Sequence, residues 1–97
     1  MKISDFQKLI QDLYLKKDAK RGIESTFIWL VEEVGELASL LNEKQRDLKR
    51  ISEELADIIA WTNSIANLLN IDIEESLSRK YPDKCMKCDS IPCKCED

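Results

Sequence analysis

The sequence predicts an all-α protein folded as one four-helix bundle, on three observations. Gly and Pro are scarce, at two each. Charged residues make up 35% of the chain, which suits solvated helix faces. Apolar residues recur at spacings of three and four through most of its length, the period of an amphipathic helix.

The first helix is expected over residues 4–19, where Ile3, Phe6, Leu9, Ile10 and Leu13 share one face. Ser4 followed three residues later by Gln7 resembles a capping box. Gly22 ends this segment, free to take a positive φ. The second helix is expected over residues 25–43, with Phe27, Leu30, Val31, Val34, Leu37, Ala38 and Leu41 as its apolar stripe. A short basic connection leads to Asp47, the expected N-cap of the third helix. That helix should run to Leu69, with Leu48, Ile51, Leu55, Ile58, Thr62, Ile65 and Leu69 inward and Asn70 as its cap. Asp72, with Glu75 three residues on, opens a short fourth helix that Tyr81-Pro82 stops near Lys80. Residues 1–81 thus form the domain, and residues 82–97 a separate Cys-rich C-terminal tail.

The short loop between the second and third helices makes them antiparallel neighbours. Their apolar faces are wide, so burial against another copy of the chain is expected. Ninety-seven residues form a modest core, hiding roughly 60–70% of the unfolded surface. No apolar run approaches the ~20 residues that span a bilayer. The N-terminal segment lacks the apolar stretch of a signal peptide, so a cytoplasmic protein is expected. A net charge of −4 argues against a nucleic-acid polymer as partner. His is absent, which removes the commonest acid–base side chain and metal ligand.

The carboxylates are distributed unevenly. Residues 22–43 and 51–78 hold no Lys or Arg, yet they carry Glu32, Glu33, Glu36, Glu53, Glu54 and Asp57. Glu33 and Glu36 are three apart and share a helix face, and Glu54 and Asp57 repeat the spacing. Antiparallel packing would bring the pairs together. Two unit charges about 4 Å apart repel by about 4 kcal/mol at an effective dielectric near 20. Mg²⁺ removes that penalty, because it takes hard oxygen ligands and keeps waters that a phosphate can displace. The bland alternative, a solvated acidic face, fits one such pair but not a repeat on two helices without basic neighbours. Arg50, four residues before Glu54, is the exception. Gly35, inside a helix, implies the close approach of another helix or of a ligand.

Leu30-Val-Glu-Glu-Val-Gly-Glu-Leu37 followed by Glu53-Glu-Leu-Ala-Asp-Ile58 resembles the MazG-type nucleotide pyrophosphohydrolases of the all-α NTP pyrophosphatase superfamily. Their pattern is EExxE, a gap, then ExxD. Glu32, Glu33 and Glu36 match its first half, and Glu54 and Asp57 its second, in a short, archaeal-like form with a Cys tail. Dimeric dUTPases share the pattern but are usually longer, and the residues after Asp57 are more similar to the MazG-like branch than to the phosphoribosyl-ATP pyrophosphohydrolases, which favour aromatic and His residues there. The resemblance implies a MazG-like bundle assembled as a dimer or a dimer of dimers. It implies Mg²⁺-dependent hydrolysis of a (d)NTP to (d)NMP and pyrophosphate, a house-cleaning of the nucleotide pool. By matching position, Glu33, Glu36, Glu54 and Asp57 would hold the metal. Glu32 would orient the attacking water or support a metal ligand, so Glu32 and Glu33 are the catalytic candidates. Lys80 would contact phosphates.

Other residues keep two readings. Trp29 and Trp61 lie along the stripes of the acid pairs and can stack on a base or fill a subunit interface. Asn67 can bond a ligand or cap a carbonyl. Lys16, Lys17, Lys20 and Arg21 can reach phosphates or form a solvated basic turn. Cys85-Met-Lys-Cys88 and Cys93-Lys-Cys95 suggest tetrahedral Zn²⁺, with disulfides as the rival. The alternative to an enzyme is a helical oligomerisation or adaptor module with a metal-binding Cys tail.

Overall fold

The structure, a computed structural model, describes residues 1–96. Among them are four helices: α1 Ile3–Arg21, α2 Ile23–Leu41, α3 Leu48–Leu68 and α4 Ile73–Lys80. No strand occurs among the described residues. No described helix is long and apolar enough to cross a membrane.

The start of α1 differs from the expected capping box. The helix begins after Lys2, whose backbone N–H donates to the Asp5 carboxylate at 2.9 Å. Gln7 is thereby released for a longer reach. Its side-chain amide donates to Asn67 Oδ1 at 3.0 Å and to the Ile71 carbonyl at 2.7 Å. Its Oε1 accepts from the Ile73 N–H at 3.0 Å. The turn between α3 and α4 exposes backbone groups that one amide, donor and acceptor together, can satisfy. Gln7 is therefore a clamp between distant segments.

A single residue joins α1 to α2. Gly22 sits at φ 92°, where a side chain would be strained. Its N–H donates to the Asp18 carbonyl at 2.9 Å and closes α1. Its carbonyl accepts from the Thr26 hydroxyl at 2.7 Å and opens α2. The later boundaries follow the expected chemistry. Asp47 accepts from the Arg50 N–H at 3.2 Å, and Asp72 from the Glu75 N–H at 3.1 Å. Asn70 takes the left-handed conformation at φ 55° just beyond α3.

α2 packs along α3, α1 packs mainly on α3, and α4 packs on α1. Leu40 and Ile51 are buried together with Ile10 and Ala66, the whole fully buried apolar set among the described residues. Leu30, Leu37 and Ile58 are half-buried. The expected stripes are only partly inward. Phe27, Val31, Val34 and Leu41 on α2 are exposed, as are Leu48 (73%) and Leu55 on α3. Both helices are apolar on more than one face, and periodicity alone does not rank those faces. A Cβ built at Gly35 would meet no described group within 4 Å, so no helix of the same chain explains that glycine. The radius of gyration is 16.0 Å, against about 13 Å for a compact chain of this length. The single chain is open, with much of its apolar surface uncovered.

Candidate metal centre

The pairing of α2 with α3 sets the site. Trp29 stacks on Trp61, with ring centroids 6.2 Å apart and planes 12° from parallel. Further along, Glu33 and Glu36 meet Glu54. One carboxylate oxygen from each of these three lies within 4.8 Å of the others. Glu33 takes a seam position between Leu30 and Leu37, so its carboxylate is carried inward with the apolar side chains.

The electrostatics of this trio are unfavourable for the protein alone. Glu33 Oε2 and Glu54 Oε2 are buried with no hydrogen-bond partner among the described residues. Close approach of the Glu54 carboxyl, and then its negative charge, hold Glu36 above the ordinary glutamate value. Arg50 offsets this only in part. Contact with the Glu33 carboxyl, then burial, raises Glu54. A proton shared between carboxyls relieves such crowding, and so does a cation. Three converging glutamates, two of them with an orphaned, inward oxygen, fit a hard divalent ion.

Asp57 is not part of the trio, although its charge raises both Glu36 and Glu54. It lines a neighbouring cleft of about 330 Å³ with Lys17, Asp18, Arg21 and Trp61. Arg21 lies over the Trp61 ring, 4.9 Å from its centroid. It also donates to Asp18 Oδ1 at 2.8 Å. The cleft thus joins two acids, an aromatic face and two cations beside the glutamate trio.

The other sequence candidates fall elsewhere. Glu32 is exposed and outside the trio. Both ends of the Asn67 amide are engaged by Gln7, at 3.0 and 3.3 Å. Lys80 lies over the Tyr81 ring at 5.7 Å and lines a cavity with the Cys tail, not the cleft with Asp57. The tail forms a second cluster: the sulfurs of Cys85, Cys88, Cys93 and Cys95 all lie within 4.8 Å of one another. A hydrogen bond from the Lys94 N–H lowers the Cys88 thiol to about 6.

Sequence reasoning missed Asp18, which is 1% exposed and has Oδ2 unpartnered among the described residues. A signal was available. An acid in the last turn of a helix opposes the macrodipole and needs a cation, here Arg21 three residues on.

An all-helical domain with carboxylates converging on a two-helix seam is a helical bundle with a candidate metal centre. Residues 21–88, well over half of the chain, match the family model of the MazG nucleotide pyrophosphohydrolase domain, and the chain belongs to that family. A comparison with curated proteins returned no match. The matched segment begins at the end of α1 and includes Cys85 and Cys88.

Proposed function

We propose that this chain is a Mg²⁺-dependent enzyme hydrolysing nucleoside triphosphates, ribo- or deoxyribo-, to the monophosphate and pyrophosphate, clearing the cytoplasmic nucleotide pool. The observation that carries this reading is the convergence of Glu33, Glu36 and Glu54 with two buried oxygens lacking partners. Those three, with Asp57 beside them, would hold the metal. The ion, when bound, neutralises phosphate charge and acidifies water. Glu32, exposed and outside the trio, would orient the attacking water by its matching position in the family pattern. Lys17 and Arg21 bring positive charge to the cleft and draw the polyphosphate toward Asp57. Trp61 has Trp29 stacked on it and Arg21 over its ring, so a base would stack there by displacing the guanidinium toward the phosphates.

The assembly belongs to the same reading. The central helices run antiparallel, as the pairings of Trp29 with Trp61 and Glu36 with Glu54 support. The protein is a homo-oligomer, a dimer or a dimer of dimers. Exposed Phe27, Ile28, Val31 and Val34 surround Gly35 on α2, a patch that a second copy would cover. Lys80, which does not line the cleft of its own chain, would reach the phosphates bound by another copy.

The test is pyrophosphate release from a panel of (d)NTPs with Mg²⁺. Release of pyrophosphate rather than orthophosphate is expected from at least one of them. Failure with every nucleotide, at micromolar protein, leaves the helical adaptor as the better account.

A further inference from the structure

We propose that Cys85, Cys88, Cys93 and Cys95 form a closed structural zinc site that folds the C-terminal tail. It is independent of the acid seam and of the hydrolase reading. Four thiols converge on one point, within 4.8 Å of one another. Thiolates at the usual Zn–S length of about 2.3 Å define a tetrahedron with edges of about 3.8 Å. Cys85 Sγ and Cys95 Sγ are 3.8 Å apart. Two disulfides would instead draw the sulfurs into two separate pairs.

The backbone around the thiols is shaped for a metal knuckle. Asp89 donates its N–H to the Cys85 carbonyl at 2.7 Å, and Cys85 donates to the Ser90 carbonyl at 3.1 Å. This tight turn wraps the Cys85–Cys88 pair and places Asp89 in the left-handed region at φ 59°. Two backbone N–H groups point at sulfur: Lys94 at Cys88 Sγ and Cys95 at Cys93 Sγ, each at 3.3 Å. Donors of this kind stabilise thiolate ligands. Four thiolates around Zn²⁺ carry a net charge of −2, which Lys87 and Lys94, set between the cysteines, offset, while Lys84 pairs with Asp89 at 3.3 Å.

The tail also needs a cross-link. Met86 and Ile91 are exposed, and no residue from 82 to 96 is fully buried. Segments of this size do not hold a fold by apolar burial alone. All four ligand positions are filled by sulfur, so the site has no open position for water or substrate and is structural.

The experiment uses the full chain purified without chelator. Elemental analysis should find one zinc per chain, with all four thiols protected until a chelator removes it. Cobalt exchanged into the site should give the intense visible bands of tetrahedral thiolate coordination. A Cys85→Ser/Cys88→Ser double variant should lose the zinc, keep its helical circular dichroism, and become sensitive to trypsin at Lys84, Lys87 and Lys94. A Glu36→Gln/Glu54→Gln variant should keep the zinc. The inference is overturned by thiols that stay freely reactive after incubation with zinc. It is equally overturned by a chain mass lower by four hydrogens, which marks two disulfides, or by zinc retained in the Cys85→Ser/Cys88→Ser variant.

Discussion

The α2–α3 seam and the C-terminal tail each gather metal-ligating side chains, but by opposite routes. The seam brings oxygen ligands together from two helices, with Glu33 and Glu36 on one and Glu54 on the other. The tail brings sulfur ligands together within eleven consecutive residues. Packing of whole helices holds the seam, so its ligands are rigid even where their charges repel. The tail has almost no apolar packing, so its ligands depend on local turns and on whatever joins them. A hard, partly open cluster suits an ion that exchanges water with substrate. A soft, closed cluster suits an ion that stays.

The sharpest way to break this contrast is to remove one seam carboxylate. Glu36→Gln or Asp57→Asn should lower turnover by more than about 100-fold, since even groups supporting a metal ligand cost 10–100-fold when lost. Circular dichroism should be unchanged, because neither side chain packs the core. Most activity surviving in either variant would move the metal site elsewhere.

A smaller effect sharpens the boundary between the seam and its cleft. Trp61→Ala should weaken binding of a non-hydrolysable dNTP by about 1–3 kcal/mol, the range for loss of base stacking. Calorimetric titration measures it. Unchanged affinity would assign the tryptophan pair to packing alone.

The smallest expected effect is on stability. Glu36 and Glu54 are held above their ordinary values, so at intermediate pH the folded chain binds more protons than the unfolded one. Their contribution is fully present below the unfolded glutamate value and is lost as pH rises through the raised folded values. Without divalent ions, wild type should therefore lose melting temperature relative to Glu54→Gln as pH rises through that window. Mg²⁺ should remove the difference. Parallel melting curves for the two proteins, with and without Mg²⁺, would show that no charge is trapped at the seam.

Much of this was legible in the chain, for identifiable reasons. Helix boundaries at Gly22, Asp47 and Asp72 rest on local chemistry, a positive φ or a side chain reaching three residues ahead, and they hold, while the cap of α3 is Leu69, with Asn70 taking the positive φ one residue beyond it. Gln7 was misassigned because the same local rule had a competitor: Asp5 already satisfied the helix start, and the amide was drawn to a turn sixty residues away. The inward and outward faces of α2 were not legible, since Phe27 and Leu30 are equally apolar and only the position of α3 separates them. Asp18 was overlooked because its burial depends on α1 lying against α3.

The sequence by itself determined the four helices, the pairing of acids on two of them and the clustering of thiols in the tail, because each depends on periods and spacings within one segment. Tertiary structure alone decided that Glu33, Glu36 and Glu54 share one point while Asp57 turns to a cleft with Arg21. It also decided that Lys80 lines a cavity with the Cys tail and not that cleft. Side-chain direction along a helix follows from its pitch, but the rotation of one helix against another follows from the packing of all the faces together.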